Sequence, residues 1–172
     1  MRESERLNQI ITNFLEYARP APLAVEAVDV ADALEGVLVL LEHRAPAAGL
    51  KILRGFSGPL VWRVDPQRFR QVLWNLCLNA VEAMPEGGEL RVGATLVPGH
   101  KLEVSVADSG HGIAPDDLAH VFEPFFSTKA DGTGLGLSLV HRIVQEHGGE
   151  VDVRSTPGLG TMFTVTLPAR HA

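Results

Sequence analysis

Cysteine, tyrosine and methionine are scarce in this 172-residue chain, which has one, one and three of them. A lone cysteine, Cys77, cannot close a disulfide within the chain, so a disulfide scaffold is excluded and a reducing compartment is expected. Positive charge is short as well: 15 Lys and Arg stand against 21 Asp and Glu, a net charge of −6. No basic cluster appears, which argues against nucleic acid as a partner. Apolar runs of the roughly 18 to 20 residues that cross a bilayer are missing. The opening residues MRESERLNQ are polar and charged, unlike a secretory leader, so the expected location is cytoplasmic, with any membrane attachment left to a longer protein. Internal repeats and low-complexity tracts are absent. Three ligand signatures are absent too. No Gly-x-x-x-x-Gly-Lys-Ser/Thr occurs, and Gly134-Leu-Gly136 lacks the third glycine of a dinucleotide fingerprint. Asp108 to Asp117 places Gly110 and Gly112 where a calcium loop needs oxygen ligands.

What remains is ordinary for a globular protein, 45% hydrophobic and 21% charged, and its length suits one domain with a short appendage. The informative stretch runs from Asp108 to Val140. It opens with Asp108-Ser-Gly-His-Gly-Ile113, one carboxylate beside two glycines that allow a flat ligand against the main chain. It closes with Gly132-Thr-Gly-Leu-Gly-Leu137, after which Leu139, Val140, Ile143 and Val144 recur at helical spacing. Glycines leading into a helix expose unpaired N–H groups at the positive end of its dipole, a seat for phosphate.

The flanking chain reads as scaffold. Leu7, Ile10, Ile11, Phe14, Leu15 and Ala18 mark an amphipathic helix from Glu3 to Arg19, stopped by Pro20 and Pro22. Its stripe needs a partner, either the first half of a helical hairpin outside this sequence or the domain itself. A strand is expected at Ala24 to Val28, a helix from Val30 to Ala47, and short strands at Leu50 to Arg54 and Leu60 to Val64. Asp65 reads as an N-cap and Pro66 as the first residue of a helix reaching Met84. Alternation then marks a hairpin through Leu90 to Leu96 and Leu102 to Val106, and later strands at Val151 to Val153 and Phe163 to Leu167. The economical packing is an α+β, two-layer sandwich in which a single mixed sheet is covered on one face by helices.

The helix after Asp65 carries a second constellation. Asn75 and Asn79 lie four residues apart beside the apolar stripe of Phe69, Val72, Leu73, Leu76 and Ala80. Asparagine is unfavourable inside a helix, so the pair has a reason. Either the amides hydrogen-bond a neighbouring loop, or a side-chain carbonyl ligates magnesium, which prefers oxygen.

Taken together, Asn75-Leu-Cys-Leu-Asn79-Ala, Asp108-Ser-Gly-His-Gly-Ile113, Phe122-Glu-Pro-Phe-Phe-Ser-Thr-Lys129, Gly132-Thr-Gly-Leu-Gly-Leu137 and Gly158-Leu-Gly-Thr161 resemble, in order and spacing, the five boxes of sensor histidine kinases. The short lid and the Asn-Ala-Val-Glu-Ala-Met form of the first box look most like the nitrogen-regulation type. The resemblance implies the ATP-binding Bergerat fold shared with certain topoisomerases, chaperones and mismatch-repair ATPases. It implies a catalytic ATP-binding domain over residues 21–172, and over residues 1–20 the end of a dimerisation helix whose phosphoacceptor part is missing.

By the same resemblance Asp108 accepts a hydrogen bond from the adenine amino group while Gly110 and Gly112 admit the base. Asn79 ligates magnesium and Asn75 supports the ion or a phosphate-bound water. Gly132, Gly134 and Gly136 form a lid over the triphosphate, and Thr161 supports the adenine end. Lys129 and Thr133 are candidate phosphate contacts, and Ile113, Phe122, Leu135 and Leu137 complete the expected ATP site. Asn75, Asn79 and Lys129 are the candidate catalytic residues. The implied partners are ATP, the kinase's dimerisation and phosphoacceptor domain, a response regulator and a second copy of the chain. In the family's ATPase relatives a glutamate activates water at the Asn75 position; neutral Asn75 cannot act as that base, so the γ-phosphate is kept for another nucleophile.

Two departures accompany the match. No phosphoacceptor histidine element precedes Arg6, and none of the seven histidines replaces it, so the fragment is not expected to phosphorylate itself. Many relatives carry a lysine and an aromatic three and four residues after the magnesium asparagine, where this chain has Glu82 and Ala83. An ATP-driven clamp, an anti-sigma-type serine kinase and a regulatory pseudokinase on the same fold are the rivals. Asn75 argues against the clamp, and the leading helix with Pro20 against the serine kinase.

Overall fold

The computed structural model describes Ile11 and residues 22–44, 49–129 and 132–169. The helix expected over Glu3 to Arg19, and with it the N-terminal stub, lies outside the described residues apart from Ile11.

Among the described residues between 22 and 169, seven strands and four helices follow in order: β1 (Glu26–Asp29), α1 (Val30–Arg44), β2 (Leu50–Gly55), β3 (Val61–Val64), α2 (Pro66–Glu82), β4 (Gly88–Val97), β5 (Lys101–Asp108), α3 (Pro115–Leu118), α4 (Gly136–Glu146), β6 (Glu150–Thr156) and β7 (Gly160–Pro168). Five strands form one mixed sheet in the order β2-β4-β5-β7-β6, with β2 parallel to β4 and the other neighbours antiparallel. The expected single sheet needs one correction. β1 and β3 pair with each other as a separate antiparallel ribbon, Val28 opposite Trp62. The reason is local: the Asp29 carboxylate and the Val30 N–H both bind Leu60, which ties the two short strands together at the start of α1.

Register explains the core. Val92 pairs with Val106, and Val106 pairs on its other side with Phe163, which faces Val153; Val104 and Val165 repeat the pattern one step on. Alternate residues of a strand share a face, so these side chains form one apolar surface on which Leu34, Leu38, Leu73, Leu76, Leu139 and Ile143 of the helices are buried. The opposite face carries Glu103, Ser105, Thr164 and Thr166, none of them buried. Cys77 belongs to the core, and burial pushes its thiol up to about 12, so it is inert.

The Asp65 cap forms as the sequence requires. Its Oδ1 accepts the N–H groups of Gln67 and Arg68 at 3.1 Å each, and its Oδ2 accepts that of Ala24 at 2.9 Å. Helices α2 and α4 run antiparallel beside each other. A Cβ on Gly136 would lie 3.4 Å from Asn75 Oδ1, and at the far end the Asp65 N–H donates to His147 Nε2 at 3.0 Å.

Candidate functional site

Between the second half of α2, the end of β5 and the loop leading into α4 lies a cavity of about 770 Å³. That volume suits a ligand of nucleotide size. Most of the residues singled out from the sequence line it: Asn75 and Asn79 from α2, Asp108 from β5, Gly112 and Ile113 after it, Lys129, Thr133 and Gly134 from the long loop, Gly136 and Leu137 from α4, and Thr161 from β7.

One end is built by cross-strand pairing. Asp108, the last residue of β5, lies opposite Thr161. Its Oδ1 accepts the N–H of Gly110 at 2.8 Å and that of Thr161 at 3.3 Å. No donor reaches its Oδ2 among the described residues. Burial pushes the Asp108 carboxyl above the ordinary aspartate value, against the pull of those two N–H groups, His111 and Lys129. A half-buried acceptor with one oxygen fixed and the other unclaimed suits a polar ligand that brings an N–H.

Behind it stands Ser155, which sequence reasoning missed. Its hydroxyl donates to Gly160 O at 2.9 Å and accepts the Ile113 N–H at 2.8 Å. With its one proton used, the 2.9 Å contact to Thr161 Oγ1 takes its proton from Thr161. Ser155 thus joins the loop after β5 to the β6–β7 turn. Gly112 sits at φ +74°, and a Cβ there would collide with the Thr156 carbonyl, so only glycine lets this loop lie so close.

At the other end the two asparagines part company. Asn75 Nδ2 donates to Gln71 O of its own helix at 3.0 Å, while its Oδ1 faces Gly136. Asn79 Oδ1 accepts from Lys129 Nζ at 2.7 Å, and the same ammonium reaches Glu82 Oε2 at 2.5 Å. An amide oxygen already holding a cationic donor fits the oxygen chemistry that magnesium needs. Glu82 was noted in the sequence only as a departure, since nothing in its spacing foretells a contact 47 residues away.

The loop before α4 supplies the third wall. Phe125 holds φ +67°, unusual for a residue with a side chain, and its N–H donates to Gly134 O at 2.9 Å. Gly134 itself sits at φ +67°, and a Cβ there would overlap the Phe125 backbone. Helix α4 then begins at Gly136 with no side-chain cap, so its first N–H groups are open to an anion. Three expected contacts, Gly110, Phe122 and Leu135, do not line the cavity. Phe122 turns into the core, its ring 5.3 Å from His141 and 6.2 Å from Phe163, and Leu135 is buried behind the start of α4. Both are apolar, so burial directs them away from a charged ligand. Gly110 contributes through its N–H to Asp108 and does not line the cavity.

No helix among the described residues is long and apolar enough to cross a membrane. Comparison with known proteins agrees with this geometry. Residues 64–171 match the family described as histidine kinase-, DNA gyrase B-, and HSP90-like ATPase. The sensor histidine kinase ZraS of Klebsiella oxytoca is 43% identical over 97% of this chain, which spans 36% of that protein's length. Full-length ShkA in complex with AMPPNP superposes with a TM-score of 0.87 at 35% identity, over 99% of this chain and 38% of that one. The catalytic domain of histidine kinase ThkA gives 0.77 at 31% identity over 86% of this chain and 97% of that domain. ThkA in complex with the response regulator protein TrrA gives 0.83 at 29% identity, over 98% of this chain and 49% of that one. A cavity walled by the asparagine helix, a strand-end aspartate and a glycine loop, on a sheet that superposes on these proteins, leaves one conclusion: this chain belongs to the histidine kinase-, DNA gyrase B- and HSP90-like ATPases, among the ATP-binding catalytic domains of sensor histidine kinases.

Proposed function

We propose that the cavity binds ATP with magnesium and presents the γ-phosphate to a histidine on a dimerisation domain. The observation that carries this reading is the pairing, within one cavity, of an Asp108 oxygen that no donor among the described residues claims with the uncapped N-terminus of α4. The first suits the adenine amino group and the second a phosphate. Thr161 and Ile113 hold the base end, while Thr133, Gly134, Gly136 and Leu137 close over the phosphates. Asn79 Oδ1, supported by Asn75, would hold the magnesium, which would neutralise charge on the triphosphate.

Neutral Asn75, its amide donating to its own helix, offers no carboxylate to activate water. The chain therefore positions the phosphoryl group and withholds it from hydrolysis. Transfer breaks the bond from the γ-phosphorus to the ADP oxygen and forms one to an imidazole nitrogen, which releases its proton. Residues 1–20 are read as the end of a dimerisation helix and 21–172 as the catalytic domain. A response regulator would then take the phosphoryl group from the histidine, and the helical stub would pair two chains. Adding a histidine-bearing dimerisation domain and γ-labelled ATP tests the reading. The expected product is an acid-labile phosphoprotein. Nucleotide binding without labelled product would make the chain a regulatory pseudokinase instead.

A further inference from the structure

The last turn of α2 contains no basic residue, although a helix C-terminus favours one. Lys129, in the loop before α4 and 47 residues beyond Glu82, supplies that charge. Its Nζ lies 2.7 Å from Asn79 Oδ1 and 2.5 Å from Glu82 Oε2, and Asn79 and Glu82 stand three residues apart on one helical face. The backbone presents it deliberately. Ser127 Oγ accepts the Lys129 N–H at 3.1 Å and donates to the Lys129 carbonyl at 3.3 Å, so the side chain leaves a closed turn. Lys129 is also the more protected partner of the ion pair, its side chain 33% exposed against 48% for Glu82.

The oxygen that Lys129 holds is the one that the proposed function gives to magnesium, and two cations at one amide oxygen repel each other. We propose that Glu82 is a positioning residue for Lys129: it keeps the ammonium on Asn79 as a resident cation, so that lysine and magnesium exclude each other there. Metal-bound nucleotide then enters as Lys129 swings off Asn79, and its ammonium becomes available to the phosphates that displaced it. Glu82 therefore sets how much metal-bound nucleotide the site demands before it fills. This rests on the nucleotide reading above.

Two measurements on the whole chain decide it. The first is a double-mutant cycle read as Mg·AMPPNP affinity by calorimetry. Glu82→Gln should tighten binding about threefold, the scale of a half-exposed ion pair, and should change nothing when made in a Lys129→Met background. Weaker binding in Glu82→Gln, or an equal effect in both backgrounds, overturns the proposal, because Glu82 would then act on the metal directly. The second needs no nucleotide. In protein without ligand, Glu82→Gln should speed acylation of Lys129, followed by mass spectrometry, about threefold, and an unchanged rate overturns the latch. Should the wild type bind no nucleotide yet show the protected lysine, the latch stands and the nucleotide reading is what fails.

Discussion

Replacing Asp108 by asparagine tests the adenine anchor with the smallest possible change in shape. In the wild type Oδ1 is fixed by the N–H groups of Gly110 and Thr161, which leaves Oδ2 for the ligand. An asparagine must place its single oxygen on one side. If the oxygen stays with the two backbone donors, the NH₂ faces the adenine amino group, donor against donor. If the amide flips, two backbone N–H groups lose their acceptor. A hydrogen bond to a charged group is worth about 1.5–3 kcal/mol, and an unsatisfied buried donor costs about 1–3 kcal/mol. A loss of about 2–4 kcal/mol corresponds to roughly 30- to 1,000-fold weaker binding. Unfolding will not mimic this result. Burial pushes the Asp108 carboxyl up, which means that the folded protein bears a cost for ionising it that asparagine removes. Calorimetry with Mg·AMPPNP beside a thermal melt is the assay, and less than threefold loss of affinity at unchanged Tm refutes the anchor. The sign of the pH response follows as well. Adenine needs the ionised acceptor, so wild-type affinity should fall with pH from above the usual aspartate midpoint of 3.8. Dividing by the asparagine variant cancels the titration of the nucleotide itself, and a ratio independent of pH would show that Asp108 is not the titrating group.

Gly134→Ala places a Cβ into the Phe125 backbone at φ +67° and should move the loop. Nucleotide affinity is expected to fall at least about tenfold while the melt shifts by no more than the 1–3 kcal/mol of one strained residue; affinity within twofold of wild type rejects the loop as a phosphate lid. Asp65→Ala removes the α2 cap and the Ala24 contact together. The expected loss is about 2–3 kcal/mol from a cap plus a hydrogen bond, or roughly 4–12 °C in Tm for a chain of this size. Burial acts to raise the Asp65 carboxyl, but the N–H groups of Arg68, Ala24 and Gln67 outweigh it and hold it below the ordinary value. A depressed carboxylate stabilises above its unfolded pKa and ceases to as pH falls through the folded one. The gap between wild type and variant should therefore be full at pH 7 and close below about pH 4; a gap that persists to pH 2 contradicts the assignment.

Local rules made much of this fold readable. Asp65-Pro66 announces the start of α2 because a carboxylate cap and a proline each solve the same problem of orphan N–H groups. Alternation at Leu90 to Val106 gives both the hairpin and its buried face. Alternation does not name a strand's partner, however, and so the pairing of β1 with β3 outside the main sheet could not be read from Val28 and Trp62. The site shows the same boundary. The glycines at 112 and 134 were legible because their conformations forbid a side chain. Phe122 and Leu135 were placed at the ligand only by their membership of a motif, and their direction is decided by the core. Ser155 carries no signal, since one serine in a strand reads as an outward polar residue until Gly160 and Ile113 close around it. Lys129 and Glu82 were visible one at a time and never as a pair.

The antiparallel register of α2 and α4 ties the two helices together at both ends of their contact. Gly136 faces Asn75, and His147 faces Asp65 at the far end. His147 is only 4% exposed and uses both ring nitrogens: Nδ1 pairs with Ile143 O at 2.8 Å and Nε2 accepts the Asp65 N–H at 3.0 Å. A ring that accepts through Nε2 must be neutral and carry its proton on Nδ1, which donates to the carbonyl. The end of α4 is thereby fastened to the cap of α2 by a bond that cannot rotate freely, and the two helices share the core between. Closing over a nucleotide by swinging α4 would break that buried bond, a cost of about 1–3 kcal/mol. In the loop before α4, by contrast, the Lys129 to Glu82 contact is only partly buried and can be broken at lower cost. Under the proposed nucleotide reading, α4 would therefore stay fixed with its N-terminus aimed at phosphate, and any adjustment would fall to the loop before it.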